Sequence, residues 1–243
     1  MRPLAFAIAS QLQMCPGQIY DAPMILQIAD ILDAPTLSAI RETLADETLW
    51  TDGAATAKGR ARAAKRNLQL RAEAPAAKGA LSLLERAILN SRIVRAAAQP
   101  DRLARLIVSR YDEGMGYGPH VDAAYIDGAR TDVSFTLFLS APEEYEGGAL
   151  VIDSAGAEDT IKPPAGAIAL YPSTFVHRVE PVTGGRRLAA IGWIKSRVRA
   201  AEHRALLFEL ETALAELGAC PVPDSLRDRL VNLRNNLLRA FGE

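Results

Sequence analysis

The sequence predicts a mainly β chain with flanking α-helices: a jelly-roll core, helices before it and a helical hairpin after it. Three observations carry this. Between Leu103 and Lys195, apolar residues recur with a period of two in six short runs, the spacing of strands that bury one face. Segments rich in Gly and Pro separate the runs, as expected for short antiparallel strands folded into a barrel and not for a parallel sheet. On both sides of this stretch the apolar period lengthens to that of a helix with one buried face.

Taken in order, Asp33 followed by Pro35 marks a helix entry, with Leu37, Ile40 and Leu44 on one face up to about Trp50 and Gly53 as the break. Residues 58–66 are basic and small, and Asn67 to Arg71 alternate like a strand. Leu81, Leu84, Ile88 and Val94 predict a second helix that ends before Pro100. The six strands are then expected at Leu103 to Tyr111, Val133 to Ser140, Ala149 to Asp153, Ala167 to Tyr171, Val176 to Val182 and Arg187 to Lys195. After Ser196, Leu206, Leu207, Leu210, Leu214 and Leu217 line one helix. Pro221 and Pro223 break it, and Leu226, Leu230, Leu233, Leu237 and Phe241 line another.

These boundaries divide the 243 residues into an extension over 1–23 of open role, a jelly-roll domain with its leading helices over 24–196, and a helical hairpin over 197–243. The hairpin is expected to pack on the barrel, and it is also where a second copy of the chain would dock in a homo-oligomer. A net charge of -1 gives no general reason to expect nucleic acid or an anionic membrane as partner. The first ten residues superficially resemble an export signal, but the apolar run is short and Gln11 to Met14 make a poor cleavage region. Cys15 and Cys220 are far apart and lack metal-ligand spacing, which reads as ordinary thiols and a cytoplasmic setting.

The chemistry is concentrated in His120-Val121-Asp122, His177 and Arg187. Two imidazoles and one carboxylate are the facial set that holds Fe(II) with open positions opposite. On an extended segment residues i and i+2 project to one face, so His120 and Asp122 would reach one ion while His177 arrives from a second strand. Arg187 would grip the far carboxylate of an oxo-acid cosubstrate. A His-x-Asp pair alone is weak, since it arises by chance in about one such chain in seven. The context strengthens it, because two of the three histidines fall in this pattern within the strand-rich stretch.

The strings from Tyr111 to Tyr117, RTDVSFTLFLS (130–140), EYEGGALVI (144–152), PAGAIALYPS (164–173) and HRVEPVTGGRRLAAIGWIKS (177–196), in this order around the motif, resemble the bacterial PKHD-type hydroxylases. These are 2-oxoglutarate- and Fe(II)-dependent oxygenases related to prolyl hydroxylases, and the likeness runs over roughly residues 24–215. It implies a double-stranded β-helix and a dioxygenase with succinate and CO2 as co-products. His120, Asp122 and His177 would bind Fe(II), Arg187 would bind 2-oxoglutarate, Tyr111 would contact the cosubstrate, and L-ascorbate would be an accessory.

Trp193 shares a face with Arg187 on a regular strand and is a further candidate for the cosubstrate site. His203 belongs to the C-terminal helical pattern and is not expected to be a ligand. Arg178 and Arg186 should point away from the site. The substrate class is left open between a small molecule, an amino acid and a protein side chain, with the loops 58–66 and 123–130 expected at the barrel mouth. The alternatives are a metal-binding jelly roll without catalysis, which has no need of Arg187, and a nucleic-acid demethylase, against which 6% aromatic content and the charge speak.

Overall fold

A computed structural model describes residues 25–56, 64–154, 156–218 and 221–243. The expected extension, residues 58–63 of the basic run and both cysteines lie outside these.

The chain opens with β1 (Leu26–Ile28) and α1 (Ala34–Leu44). Asp33 caps α1 by accepting a hydrogen bond from the Thr36 amide at 2.9 Å, a contact worth about 1 kcal/mol. The helix stops six residues before Trp50, where it was expected to end. The Trp50 indole N–H donates to the Leu44 carbonyl at 3.2 Å, satisfying a C-terminal acceptor, and Trp50 itself starts β2 (Trp50–Asp52).

Next come β3 (Lys65–Arg66), β4 (Leu68–Leu70), α2 (Pro75–Asn90) and α3 (Arg92–Ala98). The last two correct the single helix expected through Val94. The Ser91 hydroxyl accepts from the Val94 amide at 3.3 Å, so it caps a new helix and interrupts the old one.

The strands β5 (Pro100–Tyr111), β6 (Gly116–His120), β7 (Tyr125–Ile126), β8 (Ala129–Arg130) and β9 (Val133–Phe138) follow. After them come β10 (Tyr145–Gly147), β11 (Leu150–Ser154), β12 (Ala157–Ile161) and β13 (Ile168–Pro172). The last strands are β14 (Val176–Val179), β15 (Val182–Gly185) and β16 (Arg187–Ser196). The helices α4 (Ala201–Leu217) and α5 (Asp224–Phe241) end the chain. The expected strand Val176 to Val182 is thus two strands, and β6 runs through glycines that had been read as a turn.

Two antiparallel sheets face each other. The larger has the order β1-β13-β9-β16-β5-β4-β2 and the smaller the order β12-β11-β14-β6-β3. Alternation along β9 divides the core. Val133, Phe135 and Leu137 join the apolar cluster shared with Ile40, Leu84, Ile88 and Phe208 of the helices, whereas Phe138 packs with Leu150, Ile152 and Tyr171. The helices therefore cover the outer face of the larger sheet, and the inner face turns toward the smaller sheet. Among the described residues, no helix is long and apolar enough to cross a membrane.

Candidate metal and cosubstrate site

His120 and His177 reach the same point because β6 and β14 are paired, with the two residues as direct cross-strand partners. Asp122 lies two residues beyond His120, just past the end of β6, so the strand geometry expected for the His-x-Asp pair holds only up to His120. A ligand atom from each of the three side chains lies within 4.8 Å of the others.

Each imidazole is held in one orientation. His120 Nδ1 lies 2.9 Å from the Gly118 carbonyl and His177 Nδ1 lies 3.1 Å from that of Phe175. A carbonyl only accepts, so each Nδ1 carries the proton and each Nε2 presents a lone pair to the centre. Burial, followed by the neighbouring His177, pushes the His120 imidazole down to about 4. At neutral pH it is in the uncharged form that ligates a metal.

Asp122 accepts from the Ser134 hydroxyl at 2.6 Å. The Ser134 and Ser173 oxygens are 2.7 Å apart. Ser134 has one proton and donates it to the carboxylate, so Ser173 must donate to Ser134. The charge-assisted bond leaves the other carboxylate oxygen for a metal. Tyr117 stacks on His120 with centroids 3.6 Å apart, and Tyr171 meets His177 edge-on at 5.1 Å.

Arg187 is 1% exposed and stands directly opposite Tyr111 in the β16–β5 pair. Its guanidinium lies 5.2 Å from the Tyr111 ring and 5.3 Å from that of Phe138. All three of its nitrogens are buried and meet no hydrogen-bond partner among the described residues, and the same holds for the Tyr145 hydroxyl. An ionised group in such a place is costly without an anion. The donor set therefore fits the planar carboxylate of an oxo-acid. Burial raises the phenols of Tyr111 and Tyr145, while the Arg187 charge acts the other way on both, and as neutral hydroxyls both can donate.

Gly148 makes the room for Arg187. It has φ +61°, and a Cβ there would come within 2.9 Å of Val182 Cγ2 and 3.2 Å of Arg187 Cδ.

A cavity of about 420 Å³ runs between the sheets, lined by the metal-site residues and by Tyr111, Lys65, Arg105 and Trp193. Register gives its direction. Tyr111 pairs with Arg187, and six residues away Arg105 pairs with Trp193, roughly 20 Å along the strand. Trp193 thus lines the cavity at the end away from Arg187. His203 stacks on Phe241. Arg178 is bound by Glu158, and Arg186 by Asp112 and Glu47.

The sequence reading did not find Lys65, Ser134, Ser173 or Tyr145. For Ser134 a signal existed, since it shares the inward face of β9 with Thr136 and Phe138. The others are placed by pairings between distant segments.

The fold and the site define an iron- and 2-oxoglutarate-dependent oxygenase, and the comparisons agree. Residues 106–195 match the 2OG-Fe(II) oxygenase superfamily. A PKHD-type hydroxylase of Parvibaculum lavamentivorans is 43% identical over 90% of this chain and 100% of its own length, and one from Acaryochloris marina is 42% identical over the same shares. Among solved structures, a Pseudomonas putida prolyl-4-hydroxylase superposes with TM-score 0.54 at 21% identity, covering 80% of this chain and 99% of its own. A Trichoplax adhaerens prolyl hydroxylase, in complex with a hypoxia inducible factor peptide fragment, gives TM-score 0.57 at 17% identity, covering 84% and 92%.

The chain belongs to the PKHD-type hydroxylases. It is a dioxygenase that uses Fe(II), 2-oxoglutarate and dioxygen.

Proposed function

We propose that His120 and His177, through Nε2, and Asp122, through one carboxylate oxygen, hold the Fe(II), and that Arg187 receives the far carboxylate of 2-oxoglutarate with Tyr111 and Tyr145 as donors. The observation that carries this reading is the buried Arg187 guanidinium, whose three nitrogens lack partners among the described residues. A metal-binding jelly roll without catalysis would keep that charge at a cost to stability and with no use for it.

The metal and cosubstrate, when bound, supply the oxidising power that converts a substrate C–H bond to C–OH, with succinate and CO2 released. The protein does the rest. Arg187 sets the depth at which the cosubstrate sits, and the imidazoles and Asp122 leave the cavity-facing positions of the ion open. Ser134 keeps one oxygen of Asp122 occupied, and the apolar walls formed by Leu150, Val179 and Ile191 exclude water. L-ascorbate would serve by keeping the iron ferrous.

The substrate enters past Val121 and Tyr125, both exposed. It is a small molecule, an amino acid or a protein side chain, and no nucleic acid or membrane is involved. The setting is cytoplasmic. The outer face of α5, with Leu226, Val231 and Leu233 exposed, is where a second copy would pack.

Anaerobic titration with Fe(II) and then 2-oxoglutarate tests the assignment. A weak visible charge-transfer band that needs both additions, and that His177→Ala abolishes, is expected. Folded, metal-loaded protein without the band would overturn it.

A further inference from the structure

On the reading that Arg187 holds the cosubstrate, the opposite end of the cavity belongs to the substrate, and its side chains state what that substrate carries. Two acids line the cavity, Asp122 and Asp127. Arg105 binds both oxygens of Asp127, at 2.7 and 2.6 Å. Asp122 sits between the imidazoles and is committed to the metal. Against them stand Lys65 and the Trp193 indole N–H. Lys65 is 7% exposed, with Nζ 5.3 Å from the centre of the Tyr117 ring, and the charges acting on it are Asp122 and Asp52. Its ammonium therefore lies on the metal side of the cavity. Trp193 Nε1 is buried and meets no acceptor among the described residues. A buried N–H aimed at a cavity without an acceptor marks a place where a ligand supplies one.

We infer that this end of the cavity takes a carboxylate of the substrate, with Lys65 as its ion-pair partner and the Trp193 N–H as a second donor. The acidic group is then anchored beside the metal, and the carbon to be oxidised lies within a few bonds of it. One ammonium and one neutral donor match the single charge of a carboxylate, whereas a phosphate dianion calls for a denser set of cationic donors. Burial also pushes the Lys65 ammonium down to about 8, so the fold keeps a cation where an apolar side chain would be more stable. A volume of about 420 Å³ falls in the range that takes small organic ligands.

The test uses the anaerobic protein loaded with Fe(II) and saturating 2-oxoglutarate. Calorimetry compares L-aspartate with L-asparagine, and acetyl-Gly-Asp-Gly-amide with its Asn counterpart. At least one acidic probe is expected to bind about tenfold or more tighter than its amide. Lys65→Met should abolish the preference, Lys65→Arg should retain part of it, and Trp193→Phe should weaken it several-fold. The charge-transfer band and the 2-oxoglutarate affinity should be unchanged in all three. Preference confined to L-aspartate marks a small-molecule acid, and preference confined to the capped peptide marks an acidic side chain. If the band forms but no acidic probe is preferred, or if Lys65→Met weakens 2-oxoglutarate binding itself, this inference is overturned while the cosubstrate assignment stands. If the band never forms, the cosubstrate assignment fails and this inference fails with it.

Discussion

Arg187 and Tyr111 face each other across β16 and β5, with the guanidinium 5.2 Å from the phenol ring. A cross-strand pair thus builds the cosubstrate end of the cavity, and it places there a buried cation that the rest of the described protein does not satisfy. Stability and ligand binding should therefore oppose each other at this residue. Arg187→Met fills much of the same volume without charge, so the apo-variant is expected to melt at or above the wild-type temperature. Added 2-oxoglutarate should raise the melting temperature of metal-loaded wild type but not of the variant. Differential scanning fluorimetry with and without the cosubstrate checks both halves.

Ser134 touches the carboxylate and not the metal. Removing its hydroxyl in Ser134→Ala lets Asp122 rotate and leaves the Ser173 hydroxyl without its acceptor. Metal affinity should fall by about 10- to 100-fold, the range for groups that orient a ligand. Calorimetric titration with Mn(II) under nitrogen measures it, and the far-ultraviolet circular dichroism should be unaltered.

Gly148 is a steric control on Arg187. Gly148→Ala adds a methyl against the Arg187 side chain at a backbone angle of φ +61° that L-residues rarely adopt. The variant should bind 2-oxoglutarate more weakly and retain its Mn(II) affinity, because the ligand set lies elsewhere in the cavity. Equal loss of both would mean that the strain spreads through the barrel.

Lys65 gives a pH signature. Its ammonium is lowered from 10.5 to about 8, first by burial, with Asp122 and Asp52 acting in the opposite direction. Between these two values the unfolded chain binds the Lys65 proton and the folded chain does not, so this residue makes stability rise with pH from about 8 to 10.5. Below that window both states are protonated, and the folded state bears a penalty on the order of 3 kcal/mol. Lys65→Met should therefore be more stable than wild type at pH 7, with the difference shrinking as pH approaches 10.5. Urea unfolding of the apo-proteins across this range reads the slope.

His120, Asp122, His177 and Arg187 were legible in the sequence because each is a rare or charged type in a stretch that otherwise alternates apolar and small residues. The jelly roll was legible for a similar reason, since period-two runs with Gly and Pro between them permit few other architectures. Helix ends were less so. Neither the indole of Trp50 closing α1 nor the hydroxyl of Ser91 restarting a helix is visible in apolar spacing, because each acts through one hydrogen bond. β6 was missed because its glycines and proline carry no apolar pattern, although its pairing with β14 brings the two histidines together.

The sequence by itself thus determined the kind of fold, the ligand types and the cation for the cosubstrate, all of which follow from local pattern and composition. Only the tertiary structure decided that Ser134 and Ser173 steady Asp122, that Tyr145 stands beside Arg187, and that Trp193 lies at the far end from it. It also decided that Lys65, two residues past the undescribed part of the basic run, is buried beside the metal site. These are contacts between segments tens of residues apart. Strand register sets them, and register is a property of the assembled sheets that no single stretch of chain contains.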